Sequence, residues 1–497
     1  MRESSFSRNT TLNFFGQVAV ILLAVVSLPL LVAWLGDERF GLLSILWVLV
    51  GSLQVFDVGI GLGSAKFLSE HIAEGRRHEA AGIAQGTLLL LVPICLLVSA
   101  GLFAMTFLNF ASLFNIPSAL RAEAVAGLRL LLLLPPAIFM QNGLKSVLVA
   151  FQRFDVVNVL LVVYGVLQWG GAVTVLAVGG GFLDVVIAMV AARYIVMILT
   201  TVAAVRMLPE IMRVQPAGTN MIQKLFRFGG WVSVSQLLGP AFGVLDRLFI
   251  SALISLAAVT SFSVVTDVAL RLLIIPLSFV GTLIPVVSGG WIRSDKQARV
   301  KSLYEKSLKY TFVIMLPIAF VLALFSKEIL TAWLGAEFAG RSGTVLMIIA
   351  LGLIGNALAQ MPLAVLQSMG RPDIPARVIL AEIVVYGGLC FVLTDFLGIV
   401  GTAIAWSLRV TAEAAILLAV TRNHMKHVVS PQDSSYIWKS LAVLVAGGAL
   451  LTWMRTLTGE VGILLAGLLL TMTAYVVVLW KTVFDVNGRA FLASRAK

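Results

Sequence analysis

Apolar runs long enough to cross a bilayer follow one another along nearly the whole chain, and they constrain the fold more than any motif does. A spanning helix needs about 20 mostly apolar residues. Bounded by charges, Gly or Pro, such runs fall at 12–35, 41–63, 83–108, 124–150, 156–178, 182–204, 229–252, 259–288, 309–325, 343–367, 378–394, 399–421, 438–455 and 461–480. The chain is 60% hydrophobic and 12% charged, roughly half the charged share of a soluble domain. In water that balance would leave large apolar surface exposed. The expected fold is an all-α integral membrane protein with about fourteen transmembrane helices and no sizeable soluble domain.

The first run exceeds the apolar core of a signal peptide and lacks a small-x-small exit, so it reads as a spanning helix. Net charge is +12. This excess points to topology rather than nucleic acid, because Lys and Arg cluster in short segments between the runs. With the N-terminus taken as cytoplasmic, 26 of the 36 basic residues fall on the cytoplasmic side. Only Arg39, Arg121, Lys327, Arg341 and Arg455 fall on the other, and the rest lie inside helices. One miscounted helix would scramble that bias, so both termini are expected to be cytoplasmic. Two cytoplasmic segments look amphipathic. Phe67, Leu68 and Ile72 recur beside Lys66, Glu70, Arg76 and Arg77. Trp291, Val300, Leu303 and Leu308 interleave with Lys296, Arg299, Lys301, Lys306 and Lys309. Each is expected to lie on anionic headgroups.

An internal repeat is visible. Val147-Leu148 through Arg153-Phe154-Asp155 matches Val365-Leu366 through Arg371-Pro372-Asp373 at an offset of 218, and Val92-Pro93 matches Leu316-Pro317 at 224. Two pseudo-symmetric six-helix lobes, 1–205 and 229–422, would account for both. A cytoplasmic linker, 206–228, joins them, and two further helices with a tail occupy 423–497. Six is an even number, so the lobes share one orientation, and transporters place substrate sites between such halves.

Charges inside the runs carry the functional signal. They are Arg129, Arg193, Arg247, Arg271 and Arg409, with Asp57, Asp246, Asp267, Glu382 and Glu413. A basic residue at mid-helix costs about 2.5–3.5 kcal/mol on insertion scales, so these arginines should face the protein interior. Internal pairing is the plain alternative: Asp267 with Arg271, and Arg409 with Glu413, lie four apart on one helical face. Arg247 adjoins Asp246, which points elsewhere, and Arg129 can snorkel from near a helix end. Arg193 sits near mid-span with no acid at helical spacing, which makes it the foremost cavity candidate. Arginines converging on a cavity would suit a planar polyanion such as a diphosphate, because guanidinium stays charged and bonds bidentately. The five acids are candidates for ion or proton coupling, or for salt bridges. An unpaired Asp57 would instead favour a drug antiporter.

Enzyme chemistry finds little support. His71, His78, His424 and His427 lie in cytoplasmic loops, and Cys95 and Cys390 lie in apolar runs, so no metal site or disulfide framework is expected. There is no Walker A sequence, no Gly-x-Ser-x-Gly and no paired-carboxylate loop. The outer segments 109–123 and 326–342 are short for the catalytic loop of a polymerase or ligase. No cofactor is expected.

Leu35-Gly36-Asp37-Glu38-Arg39-Phe40-Gly41-Leu42, followed by Asp57-Val58-Gly59-Ile60-Gly61, resembles the first helical hairpin of bacterial oligosaccharide flippases. Those belong to the multidrug/oligosaccharidyl-lipid/polysaccharide exporter superfamily. Asp246-Arg247-Leu248-Phe249-Ile250 in the seventh run looks similar too. The resemblance covers essentially the whole chain on short motifs. It implies a V-shaped pair of lobes in the bacterial inner membrane. It also implies alternating-access transport of a polyprenyl-diphosphate-linked oligosaccharide to the outer leaflet, with other polysaccharide assembly proteins as partners. Asp57-Val58-Gly59 is read as shaping a tight helix end near the cytoplasmic face. A drug or metabolite antiporter of the same fold is the nearest alternative, and a membrane-embedded glycan polymerase or glycosyltransferase stands further off.

Overall fold

A computed structural model of the chain describes residues 3–53, 55–107, 110–213, 239, 241–290, 297–425, 435–457 and 461–482. Regular structure among the described residues is entirely helical. The first part of the chain forms α1 (Glu3–Leu35), α2 (Asp37–Leu53), α3 (Val55–Ala73), α4 (Arg77–Phe107) and the short α5 (Phe110–Leu113). There follow α6 (Arg121–Leu131), α7 (Leu134–Ala150), α8 (Phe154–Gly165), α9 (Gly171–Ala177) and α10 (Phe182–Met207). A π-helical turn, Val166–Gly170, joins α8 to α9. Next come α11 (241–253), α12 (Leu256–Arg271), α13 (Ile274–Gly290), α14 (Gln297–Leu324) and α15 (Ser326–Leu334). The last five are α16 (Ala336–Ser368), α17 (Asp373–Leu397), α18 (Ile399–His424), α19 (Ser435–Leu457) and α20 (Val461–Thr482).

Eleven helical stretches among the described residues are long and apolar enough to cross a membrane. The three remaining expected runs correspond to α2 with α3, to α11, and to α20, whose Ala466–Trp480 stretch is apolar. Pro29, Pro93, Pro317 and Pro362 sit inside helices without ending them, as membrane helices tolerate.

By internal packing the chain divides into two compact units, Met1–Arg271 with Pro372–Ala405 and Leu272–Arg371 with Trp406–Lys497. These limits differ from the sequence halves. In the first unit, Phe242 of α11 packs with Ile379, Tyr386 and Cys390 of α17. In the second, Val313 and Leu316 of α14 pack with Leu444 of α19 and Tyr475 of α20.

The duplication itself is written into the backbone. Six of the eight positive-φ residues among those described fall at matching offsets: Asn115 with Gly335, Gln152 with Gly370, and Gly179 with Gly398, at 220, 218 and 219. At the middle pair the hydrogen bonds coincide bond for bond. Phe151, Gln152 and Arg153 donate to Val147, Val149 and Leu148; Met369, Gly370 and Arg371 donate to Val365, Gln367 and Leu366. Both are Schellman endings, which place a left-handed residue just past the helix. Gln152 holds with φ +56° what Gly370 holds with φ +79°. A side chain in that region costs roughly 1–2 kcal/mol. Gln152→Gly should therefore be neutral to mildly stabilising, once the extra freedom of unfolded glycine is counted. Gly370→Ala should cost about 1–2 kcal/mol, seen as a lower melting temperature of the purified protein.

Three local expectations change. The apolar face of 66–77 does not await headgroups: Leu68 is fully buried with Ala80, Ala84, Leu144 and Val147, and Phe67 and Ile72 pack on that cluster. Val300 likewise packs on Leu283, Val287, Met361 and Val365, and Lys301 is buried beside Glu305 at 3.4 Å. Trp291 and Lys296 lie outside the described residues. Asp57-Val58-Gly59 lies within α3, which runs on to Ala73, and the turn comes at Gly75 with φ +76°.

The first motif has a packing role. Gly36 takes φ +77° between α1 and α2, and the Thr260 hydroxyl donates to the Asp37 carbonyl. Gly41 meets the Leu256 carbonyl so closely that no Cβ could be accommodated.

Candidate functional site

Three arginines of the first unit, Arg193, Arg247 and Arg271, each make specific polar or aromatic contacts. Arg193 of α10 is only 5% exposed. Its Nη1 donates to Gln141 Oε1 of α7 at 3.2 Å, and its Nη2 donates to the Tyr164 hydroxyl of α8 at 3.0 Å. The guanidinium lies 4.1 Å from the Tyr164 ring centroid, and its Nε has no hydrogen-bond partner among the described residues. Both partners are neutral. Burying a cation is costly unless it is paired, so this site holds positive charge in reserve.

Arg247 of α11, 4% exposed, is paired instead. Its Nη2 donates to both oxygens of Asp267 on α12, at 2.9 and 3.2 Å, its Nε to Ser44 Oγ at 3.0 Å, and its Nη1 to the Gly243 carbonyl at 3.2 Å. The expected Asp267–Arg271 pair is therefore not the contact made. A charge-assisted bond to both carboxylate oxygens outweighs an i,i+4 pair worth only a few tenths of a kcal/mol. Arg271 instead sits over the Trp169 ring, 5.3 Å from its centroid, with Nε buried and unpartnered. Trp169, on the π-turn, meets Trp47 of α2 at 5.0 Å between centroids. Trp47 Nε1 donates to Met189 Sδ at 3.1 Å, and Met189 lies one turn before Arg193 on α10.

A second polar group surrounds Asp246 on α11, which is 3% exposed and accepts from the Tyr386 hydroxyl of α17. Cys390 Sγ lies 4.0 Å from the same carboxylate oxygen, and Thr394 and Thr402 share a hydrogen bond of 2.8 Å one turn beyond. Asp246 and Arg247 thus point to different neighbours, as their adjacency requires.

The other charges stand apart. In the second unit Arg409 pairs with Glu413 on α18 at 3.3 Å, the expected i,i+4 contact. Glu382 is half-buried on α17, and Arg129 is exposed on α6. The Asp57 side chain lies outside what is described. Charge alone did not point to Gln141, Tyr164, Trp169, Trp47, Ser44 or Tyr386. The usable signal was an aromatic residue before a paired glycine, Trp169-Gly170-Gly171 and Tyr386-Gly387-Gly388, in a run too polar for pure lipid contact.

Among the described residues the chain is helical throughout, repeats a helix ending at matching offsets, and buries guanidinium groups inside helices of membrane-spanning length and composition. Comparison with known families matches the polysaccharide biosynthesis protein family over residues 6–291 and the MatE family over 232–392. The first match covers more than half of the chain, and the protein belongs to the polysaccharide biosynthesis protein family. It is 26% identical over 423 residues to a Shigella flexneri protein named "Putative O-antigen transporter", covering 83% of this chain and 97% of that one. A Haloferax volcanii protein named "Probable low-salt glycan biosynthesis flippase Agl15" is 24% identical over 48% of this chain and 49% of its own. Among solved structures, an inward-facing multidrug-resistance MATE transporter of the MOP superfamily matches with TM-score 0.70 at 14% identity, over 84% of this chain and 98% of that one. The lipid II flippase MurJ, inward closed, matches with TM-score 0.67 at 14% identity, over 95% and 97%. The fold is that of these transporters.

Proposed function

We propose that the protein flips a polyprenyl-diphosphate-linked oligosaccharide from the cytoplasmic to the outer leaflet of the bacterial inner membrane, by alternating access, for cell-surface polysaccharide synthesis. The observation that carries this reading is Arg193: a buried guanidinium whose hydrogen-bond partners among the described residues are a Tyr hydroxyl and a Gln carbonyl. A diphosphate oxygen is a stronger acceptor than either and supplies the missing charge. The glycan-handling relatives and the flippase fold neighbour support the same substrate class.

On this reading Arg193 and Arg271 of the first unit serve the anion, Arg247 is held by Asp267 and supports their surroundings, Arg409 of the second unit is a separate candidate paired with Glu413, and Arg129 is peripheral. The duplicated halves are 1–205 and 229–422, joined by 206–228 and followed by 423–497, with both termini cytoplasmic and assembly proteins of the same polysaccharide as neighbours. Moving two negative charges outward down an inside-negative potential yields about 4–5 kcal/mol per 100 mV. The test is flipping of a fluorescent polyprenyl-diphosphate glycan by purified protein in proteoliposomes. Exchange of small organic cations for protons, with no movement of that lipid, would replace this reading with the antiporter.

Asp246, Asp267, Glu382, Glu413 and Asp57 remain the coupling candidates, and Asp246 is the best placed, beside a hydroxyl and a thiol within the protein interior. Asp246→Asn is expected to abolish any response of flipping to an imposed proton gradient while Asp57→Asn keeps it. Equal responses in both variants and wild type would remove Asp246 from coupling.

A further inference from the structure

The π-helical turn Val166–Gly170 interrupts a membrane helix that could have been α-helical throughout. Its duplicate shows this. Tyr386-Gly387-Gly388 stands 217 residues after Trp169-Gly170-Gly171, and α17 runs as an unbroken α-helix from Asp373 to Leu397. The fold therefore does not demand a π-turn here, and such turns gather at functional sites.

The turn changes which side chains line up. Tyr164 and Trp169 are five residues apart. In an α-helix, five residues at 3.6 per turn leave about 140° between them, on different faces. Winding Val166–Gly170 more slowly reduces that angle and turns the two positions toward one side. Each of these two rings carries one arginine. Tyr164 carries Arg193 at 4.1 Å and Trp169 carries Arg271 at 5.3 Å. Both guanidinium groups have a buried Nε without a partner among the described residues, and the carboxylate nearest in sequence to Arg271 is committed to Arg247. Axially the two rings are separated by no more than about 7.5 Å of helix rise.

We propose that this π-turn is the element that makes the site read a diphosphate: it turns Tyr164 and Trp169 toward one side, so that Arg193 and Arg271 are presented as a pair to two linked phosphoryl groups. Trp169 and the turn are positioning elements, and the two arginines touch the ligand. This rests on the flippase reading above. It adds that a single phosphate, able to engage one guanidinium at a time, is discriminated against.

The test compares binding of a short-chain prenyl diphosphate and the matching prenyl monophosphate to full-length protein in nanodiscs. Wild type is expected to prefer the diphosphate by at least about tenfold, the yield of one extra charge-assisted contact. Arg271→Gln and Trp169→Ala should each lower diphosphate affinity about tenfold more than monophosphate affinity, which brings the two near parity. Trp169→Phe keeps a ring beneath Arg271 and should restore most of the preference, which a merely structural loss would not do. Deleting Val166, which returns the stretch to α-helical register, should mimic Trp169→Ala. Unchanged preference in monodisperse Arg271→Gln and Trp169→Ala proteins overturns the pairing but leaves the flippase reading intact. Wild type that binds neither lipid overturns both.

Discussion

Arg193→Ala is expected to cut flipping of a polyprenyl-diphosphate glycan by roughly 10- to 100-fold while leaving the protein as stable as wild type or more so. The first figure follows from a charge-assisted hydrogen bond worth about 1.5–3 kcal/mol, felt wherever the anion must be held. The second follows from what surrounds the residue. Among the described residues Arg193 bonds to the neutral Gln141 and Tyr164, so its removal relieves an uncompensated cation more than it breaks a pair. A structural arginine behaves the opposite way, because its removal orphans a buried carboxylate. Arg247 fits that second description through Asp267, and Arg247→Ala should lower the melting temperature by several degrees. Flipping rate and thermal melting on the same preparations check both statements. If Arg193→Ala melts early and loses transport in proportion, its role is packing.

Gly41→Leu should yield no monodisperse protein at all. A Cβ at Gly41 points into the Leu256 carbonyl oxygen and lies 3.1 Å from Thr260 Oγ1. Relief requires moving α2 from α12, because backbone rather than a flexible side chain is in the way. Gly41→Ala should cost at least the upper end of the roughly 1–3 kcal/mol typical of overpacking. Gly82, inside α4, has nothing within 4 Å of its added Cβ. There Ala should gain about 0.5–1 kcal/mol through helix propensity, which makes Gly82→Ala the matched control. Detergent-solubilised yield and melting temperature read both. A well-behaved Gly41→Leu protein would mean that α2 and α12 do not approach as described.

The helices were legible because a bilayer makes hydrophobic length nearly equivalent to secondary structure. The duplication was legible at residues 147–155 because the helix ending there is a local motif, readable from a few side chains. The candidate site was only half legible. Membrane depth singled out Arg193, and it also singled out Arg271. What spacing could not show was competition: Asp267 lies four residues from Arg271 on its own helix, yet goes to Arg247 from another. Periodicity reports neighbours along one helix and is silent about a better partner arriving from a second. Trp169 was hidden for a related reason. Its alignment with Tyr164 depends on a π-turn, and a reading at 3.6 residues per turn places the two on different faces. The amphipathic segments failed in the same way, since a stripe of Phe67, Leu68 and Ile72 fits a headgroup layer and a protein groove equally well.

The order in which partners emerge during synthesis bears on how such charges enter the membrane. Gln141 and Tyr164 precede Arg193 in the chain, so α10 meets ready acceptors in helices that have already left the ribosome. Arg247 has no such welcome. Of its two side-chain partners, Ser44 is made long before it, but Asp267 follows 20 residues later. Until α12 arrives, α11 carries a cation costing about 2.5–3.5 kcal/mol at mid-membrane. The two helices should therefore be handed to the lipid together, as a hairpin whose charges cancel at the moment of entry. A ribosome halted between them would leave α11 outside the bilayer, and one halted just after Arg271 would not.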